Sequence, residues 1–372
     1  MNPQPQFCHH LQCPARGYVG QGNIRVHSQI EQRYRCTTCG QTFAATKGTP
    51  FYRLRTAADL VTTVLTLLCH GCPLQALVAA FGLDERTVAA WLARAGQPCE
   101  QVHQSVVQQG QVDLQHVQAD ELRVKLVGRR VWIAMALAVP SRLWLGGVIS
   151  PQRDLVLIMA VVKMIRACGR SLAILVCVDG LASYVTAVLR VFRHPVRTGR
   201  PGRPRLVREQ GLLLGQVVKR YAKQRVRSVE RRVVRGSEQA IAAVLTATHT
   251  GTGVNTAYIE RLNATFRASL APLVRRGRAI AHTETVLSAG MWLVGCAYNF
   301  CSLHESLRQR APVGVPWKWQ ECTPAMAAGL TKHRWTMREL LRYQVPLPAW
   351  LAPKRRGRPP KRALQPAIAV AT

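Results

Sequence analysis

The fold is decided by a strand-rich stretch that reads HVQADELRVKLVGRRVWIAMALAVPSRLWLGGVIS over residues 116–150. Apolar residues flank Asp120 within it, and residues 131–139 form an almost uninterrupted apolar run. Residues 141–149 form a third apolar segment after a Pro-Ser turn signal. Short apolar runs bounded by Gly, Pro and Ser are typical of buried strands. The stretch therefore predicts three consecutive strands.

The chain downstream adds a helix and a further strand. Residues 155–165 carry apolar side chains at helical spacing, and residues 171–178 form an apolar strand that leads into Asp179. Three strands, a helix and another strand predict an α/β fold with a mixed sheet. Residues 191–250 are rich in Lys and Arg and are interpreted as an irregular basic insertion. Helices are predicted over most of 256–310.

The composition indicates a polyanionic partner. The chain has 372 residues, with 51 Lys and Arg against 18 Asp and Glu, and a formal charge of +33. Repulsion at this charge is relieved by binding DNA or RNA, and an acidic membrane surface is the weaker alternative. No signal peptide or membrane span is recognisable, so a cytoplasmic protein without a membrane partner is expected. The twelve cysteines are then expected to be reduced.

Residues 1–50 contain few apolar side chains, so a folded module here needs additional stabilisation, such as a bound metal ion. Two cysteine pairs could provide the metal ligands. Four residues separate the cysteines of the first pair, and two residues separate those of the second. Four thiolates can close a tetrahedral zinc site, which predicts a zinc ribbon. The favoured ligands are Cys8, Cys13, Cys36 and Cys39. Three histidines could substitute for one of them, namely His9, His10 and His27.

Residues 51–100 are typical of a helix-turn-helix. Apolar spacing predicts helices over 57–69 and 73–81, and a third that is capped by Asp84 and closed by Gly96. The last helix would enter a DNA major groove. Its candidate DNA-contacting residues are Arg86, Thr87 and Arg94. A small helical hairpin that only packs against its neighbours is the alternative.

Three acids lie in surroundings suited to phosphoryl transfer. Asp120 and Asp179 lie on predicted strands, and Glu260 lies on a predicted helix. Two divalent cations held about 3.5–4 Å apart by carboxylates activate the nucleophile and neutralise developing charge. Glu121 competes with Asp120 for one position, but neighbours on a strand face opposite ways, so only one is expected to point inward.

The blocks around these acids resemble the DDE transposases of bacterial insertion sequences, and within them the insertion-sequence-one-like group. The block from Asn255 to Arg267 carries most of the resemblance. Shorter matches follow at Asp120-Glu-Leu, at Val178-Asp179-Gly, at residues 298–307 and 323–330, and in the N-terminal Cys pairs with Gly22-Asn-Ile24. The pair Ser302-Leu303 departs from the wider superfamily, where Arg-Pro is common.

The resemblance implies an RNase H-like catalytic domain, which would occupy 113–310. The sequence pattern itself predicts a further helical region over 311–350, with helix between Thr323 and Tyr343. The resemblance also implies Mg²⁺ or Mn²⁺ dependence, with the DDE roles on Asp120, Asp179 and Glu260. The implied partners are terminal inverted repeats and target DNA, bound by a homo-oligomer in the bacterial cytoplasm at the nucleoid. Two residues that follow Glu260 on the same helix are expected to contact this DNA, Asn263 and Arg267.

Two Gly-Arg-Pro segments are further candidates for DNA contact. The tail over 351–372 contains Arg356-Gly-Arg-Pro flanked by Lys and Arg, which resembles an AT-hook that lies in a narrow minor groove. Its candidate contacts are Arg356 and Arg358. A poorer match within 191–250 offers Arg200 and Arg203, which as an alternative would track phosphates as a plain basic loop.

Two other functions fit the same modules. One is a catalytically inactive DNA-binding regulator derived from a transposase, which the presence of all three acids disfavours. The other is an RNase H-like nuclease without strand transfer, which the predicted DNA-binding modules disfavour.

Overall fold

The computed structural model describes most of the chain. The described residues are 1–197, 199, 202–222, 225–274, 281–311, 314, 316 and 318–352. The chain divides into two compact units. One contains Met1–Ala45 together with the chain from Pro346 onward, and the other is Thr46–Val345.

The first unit has a small three-stranded antiparallel sheet. Its strands are β1 (Ile24–Ser28), β2 (Arg33–Cys36) and β3 (Thr42–Ala44), with β2 in the centre. The core beneath them contains Ile24, Tyr34 and Phe43 together with buried cysteines. This core is too small to supply much folding free energy by apolar burial alone.

The second unit begins with three helices, and two of them match the prediction. These are α1 (Ala58–Cys69) and α2 (Leu74–Phe81), and α3 (Glu85–Val102) follows. The side chain of Asp84 accepts hydrogen bonds from two backbone N–H groups at the start of α3, which confirms the predicted cap.

The predicted end of α3 at Gly96 is wrong. The helix runs through Gly96 and Pro98 to Val102 and continues as a π-helical segment, His103–Gln108. A Cβ at Gly96 would lie 2.5 Å from Ala289, on a helix that packs across α3. The glycine therefore permits close helix packing instead of ending the helix.

The predicted strand–strand–strand–helix–strand order is confirmed. It consists of β4 (His116–Leu126), β5 (Arg129–Ala138), β6 (Leu143–Ser150), α4 (Leu155–Cys168) and β7 (Leu175–Asp179). Helix α5 (Ala182–Val191) follows and packs against α4. The fold is therefore mixed α/β, as the sequence predicts.

The prediction of an irregular insertion over 191–250 is wrong for most of that segment. It contains β8 (Arg193–Val196), β9 (Arg205–Arg208), β10 (Leu213–Ala222), β11 (Arg225–Arg235) and α6 (Glu238–Ala247). The central sheet has the order β11-β10-β7-β4-β5-β6. In it β4, β7 and β10 are parallel, and the other pairs are antiparallel. Strand β11 mixes Val with Arg and is a mostly exposed edge strand.

The remaining described elements are mainly helical. They are α7 (Ala257–Ser269), α8 (Glu284–Cys296), α9 (Pro324–Ala327), α10 (Met337–Arg342) and the short strands β12 (Gln309–Arg310) and β13 (Trp319–Gln320). Helix α8 continues as a π-helical segment, Ala297–Cys301, and single 3₁₀ turns occupy Ala271–Leu273 and Glu305–Leu307. The described residues thus form ten α-helices.

One described helical stretch, Glu284–Leu307, has the length and apolar composition that a membrane span would need. Of its most apolar window, 72% is buried within the protein. It packs against α3 and β6, so the helix is apolar where it forms part of the core.

Candidate functional site

Two of the predicted acids lie side by side where the pairing between the parallel strands β4 and β7 ends. The β4–β7 register pairs Ala119 with Val178, so Asp120 and Asp179 are the next residues along their strands. Residues at matching positions on adjacent strands point to the same sheet face, so the two aspartates share a face. They line a cleft of about 1140 Å³.

Glu260 lines the same cleft from α7. The buried side chain of Gln118 fixes the start of this helix, because its Oε1 accepts hydrogen bonds from the backbone N–H groups of Tyr258 (3.1 Å) and Ile259 (3.0 Å). Its Nε2 donates to the carbonyl oxygen of Asn255 at 2.8 Å. Gln118 lies two residues before Asp120, so one strand face carries both an acid and the anchor of α7.

Asp120 is mostly enclosed. Burial raises its pKa, and the charges of Asp179 and Glu260 raise it further. The side-chain amide of Asn263 donates to its Oδ2 at 2.8 Å. Asn263 and Arg267 both line the cleft, so the structure brings these two predicted contacts to the acids. A site that raises carboxylate pKa values in this way favours binding of a cation.

Strand alternation predicts that Glu121 points away from the site, and this prediction is wrong. Its side chain is fully buried, yet its carboxylate lies within 4.8 Å of those of Asp120 and Asp179. The β4–β7 pairing ends at Ala119, so β7 no longer separates the two sheet faces beside Glu121, although β5 stays paired with β4 on the other side. Burial raises the pKa of Glu121 to about 7, although the hydrogen bond from Arg153 lowers it.

Arg153 connects two of these acids. Its Nε donates to Glu121 and its Nη2 donates to Asp179, each at 3.1 Å. The third acid, Glu260, pairs with a different cation: Lys219 Nζ lies 2.6 Å from its Oε1. The same oxygen accepts a hydrogen bond from the hydroxyl of Thr256. Partial burial acts to raise the pKa of Glu260, but these two hydrogen bonds and the charge of Lys219 lower it overall.

Sequence reasoning missed Gln118, Arg153, Tyr184 and Lys219. The Tyr184 ring is fully buried on α5, and its hydroxyl has no hydrogen-bond partner among the described residues. Burial and the charges of the nearby acids raise its pKa well above the usual range. A polar Gln two residues before Asp120, in an apolar strand, was the one available signal. Arg153 and Lys219 lie far in sequence from the acids that they contact, and Tyr184, five residues after Asp179, has the position of an ordinary core residue of α5.

The four favoured cysteines come together in the first unit. Their sulfur atoms all lie within 4.8 Å of one another, with Cys8 3.6 Å from Cys39 and Cys13 3.9 Å from Cys36. Thiolates about 2.3 Å from a tetrahedral zinc ion would be about 3.8 Å apart. The geometry therefore fits Zn²⁺.

Local hydrogen bonds support a thiolate at Cys36. Burial acts to raise the pKa of this thiol, but the backbone N–H groups of Cys39 and Thr38 help to lower it to about 7. The side chain of Asn23 also donates to its sulfur at 3.6 Å. Burial raises the pKa of Cys8, so a bound cation is needed to hold all four sulfurs as thiolates.

The other predicted DNA contacts are dispersed. Arg86 is exposed and Thr87 is half-buried at the start of α3, whereas Arg94 donates to the carbonyl oxygens of Pro50 and Tyr52. Arg203 is exposed. Three of the predicted contacts lie outside the described residues: Arg200, Arg356 and Arg358.

No protein family model matches this chain. A search of curated proteins finds no similar sequence.

Proposed function

We propose that the protein is a DDE-type DNA transposase, which binds the ends of an insertion sequence and catalyses metal-dependent cleavage and strand transfer. One observation carries the proposal. Asp120, Asp179 and Glu260 are far apart in sequence and on three different elements, yet they line one cleft. Two strand-borne acids and one helix-borne acid suit a two-metal phosphoryl-transfer site.

The sheet supports an RNase H-like catalytic domain. An antiparallel β6-β5-β4 half continues through the parallel strands β7 and β10, and the two aspartates lie on β4 and β7 at its centre. Helix α7 delivers the glutamate to the same sheet face. This arrangement is compatible with the fold that the sequence resemblance implies.

The side chains around the acids fit a divalent cation. Mg²⁺ and Mn²⁺ prefer carboxylate oxygens, and when bound they activate an oxygen nucleophile and neutralise charge on the phosphoryl group. Asp120, Asp179 and Glu260 would hold the cations, and Asn263 would orient Asp120 through its amide. Arg153 and Lys219 would neutralise the carboxylates while no cation is bound.

The charge of the chain supports DNA as the substrate. The protein carries +33 overall, and Arg267 and Lys219 line the cleft beside the acids. Exposed arginines along β11 extend the positive surface from the same sheet. The cluster of four cysteines, as a Zn²⁺ ribbon, and the helices of 51–100 would add affinity and register on terminal repeats, within a homo-oligomer.

The test uses full-length protein and DNA that the protein itself selects. Duplexes that the protein binds are recovered from a random library and serve as substitutes for the ends of the insertion sequence. Joining of their 3′ strands to a plasmid is then measured in the presence of Mg²⁺ or Mn²⁺. We expect joining by the wild type and its loss in Asp120→Asn, Asp179→Asn and Glu260→Gln. Binding should persist in all three variants, because the positive surface is retained.

Asp113→Asn is the matched control, because Asp113 is exposed and lies outside the cleft. It removes the same charge and should leave joining intact. Joining by Glu260→Gln at the wild-type rate would contradict the proposal. Nicking without joining would favour the nuclease instead, and selective binding without either reaction would favour the inactive regulator.

A further inference from the structure

Helix α7 separates two cavities. Glu260, Asn263 and Arg267 lie three to four residues apart on one face and line the acidic cleft. Tyr258 and Arg261 lie on another face and line a second cavity of about 490 Å³. An α-helix is about 10 Å wide, so one extended ligand can reach both cavities.

Arg142 holds a fixed position in the second cavity. It follows β5 in the left-handed region with a φ of 56°, which costs a non-glycine residue about 1 kcal/mol or more. Its guanidinium lies 4.1 Å from the centre of the Tyr258 ring, and it also donates to the carbonyl oxygen of Val139. The hydroxyl of Tyr298 donates to the backbone oxygen of Arg142 at 3.0 Å. These contacts hold the side chain against α7.

The cavity concentrates positive charge. Arg142 and Arg261 both line it, and in the described part of the chain neither guanidinium forms an ion pair with a carboxylate. Burial lowers the pKa of His304, and the charges of the two arginines lower it further, while the exposed Glu305 opposes this effect. Uncompensated positive charge in a concave site favours an anion.

The lining indicates which anion fits. Guanidinium groups bind phosphate oxygens through paired hydrogen bonds, and aromatic rings stack on nucleobases. Tyr258, Tyr298 and His304 provide the rings, and the Tyr298–His304 pair meets edge to face at 6.4 Å. The volume falls within the usual range of about 300–1,000 Å³ for ligand pockets, and a phosphate alone would not fill it.

We propose that this cavity, bounded by Arg142, Tyr258, Arg261, Tyr298 and His304, binds a DNA phosphate together with its adjoining nucleoside. The inference rests on the proposed function, because the same DNA would present a second phosphate to the acids across α7. The subsite gives the DNA strand a fixed point close to the reacting phosphate, and such positioning contributes to phosphoryl transfer.

The test measures binding of full-length protein to a fluorescent duplex without added Mg²⁺, as a function of salt. The slope of log K against log salt concentration is negative, and losing one phosphate contact should make it less steep by about 0.9. We expect this change in Arg261→Gln, and we expect Arg261→Lys to retain the slope. Arg190→Gln is the matched control, because Arg190 is an exposed arginine on α5 that lines neither cavity.

A second measurement locates the contact. Duplex containing bromodeoxyuridine should cross-link under ultraviolet light to peptides that contain Tyr258 or Tyr298, and Arg261→Gln should weaken that cross-link severalfold. The subsite is overturned if Arg261→Gln matches Arg190→Gln in slope and cross-linking. Failure of the proposed function is distinguishable, since the wild type would then bind duplex and cross-link normally without joining strands.

Discussion

The two units of this protein use clustered ligand groups in opposite ways. In Met1–Ala45, three of the eight buried apolar residues are cysteines, and the secondary structure consists of three short strands. In Thr46–Val345, a six-stranded sheet and its helices bury a large apolar core, and the acids lie at the surface of that core. The first unit has little besides its thiolate cluster to hold it together, whereas the second folds around side chains of its own.

The difference shows in how charge is balanced. The cysteine sulfurs face one another without a protein cation within the cluster, so four thiolates require a metal. The acids already have protein cations, because Arg153 joins Glu121 to Asp179 and Lys219 pairs with Glu260. We therefore expect metal to be structural in the first unit and functional in the second.

The largest expected effect follows from removing one thiolate. Cys13→Ser in the full-length chain should lose the bound zinc and unfold the first unit, while the second unit stays folded. Zinc binding supplies apparent free energies of about 10–16 kcal/mol in small zinc modules, far more than a core of this size. Metal content by mass spectrometry and proteolytic cleavage within residues 1–45 measure the change.

Cys72→Ser provides the control for this substitution. Cys72 is half-buried between α1 and α2 and belongs to no described metal-ligand cluster. It should leave both zinc content and proteolysis unchanged. The claim that metal is structural in the first unit would be contradicted if the Cys13→Ser protein kept one zinc per chain, or if the wild type contained no zinc.

A smaller effect is expected at Glu121. The pKa of its carboxyl is raised from 4.5 to about 7 in the folded protein, so the folded state holds a proton that the unfolded state has released. Its contribution to stability is complete below about pH 4.5 and is lost as the pH rises to about 7. In Glu121→Gln this loss disappears, and the fall in unfolding free energy over that window should shrink by up to about 3 kcal/mol.

Urea unfolding followed by tryptophan fluorescence at pH 4.5 and 7.5 measures this change. Glu321→Gln is a suitable control, because Glu321 is exposed and should keep the wild-type pH dependence. An unchanged pH dependence in Glu121→Gln would show that Glu121 is ionised throughout. It would then act only as a permanent partner of Arg153.

The strands that could be predicted from the sequence are those whose apolar pattern is not interrupted by charged residues. Strands β4 to β7 carry continuous or alternating apolar residues, so their order, the position of Asp120 on a strand and the strand end at Asp179 could be predicted. Strands β10 and β11 were missed because arginine and lysine interrupt their apolar positions. Gly96 looked like a helix end, since nothing local reveals that another helix packs against it.

The site shows the same limit at the level of single residues. Strand alternation placed Asp120 correctly, but it failed for Glu121, because the pairing of β4 with β7 ends before that residue and leaves one side of β4 open. The pairing of Arg153 with two acids depends on how α4 approaches the sheet, which no local pattern encodes. Residue types at the site can therefore be predicted from sequence, but their charge partners require the tertiary fold.

The central claim is that the acids of the second unit form a divalent-metal site, and Mn²⁺ binding tests it most directly. Titration of the full-length protein, followed by electron paramagnetic resonance, should show Mn²⁺ bound by the wild type and by Asp113→Asn. Thiolates select zinc over Mn²⁺, so the cysteine cluster should not interfere. The account predicts that Asp179→Asn loses this binding while remaining folded. Equal Mn²⁺ affinity in Asp179→Asn and the wild type would contradict it.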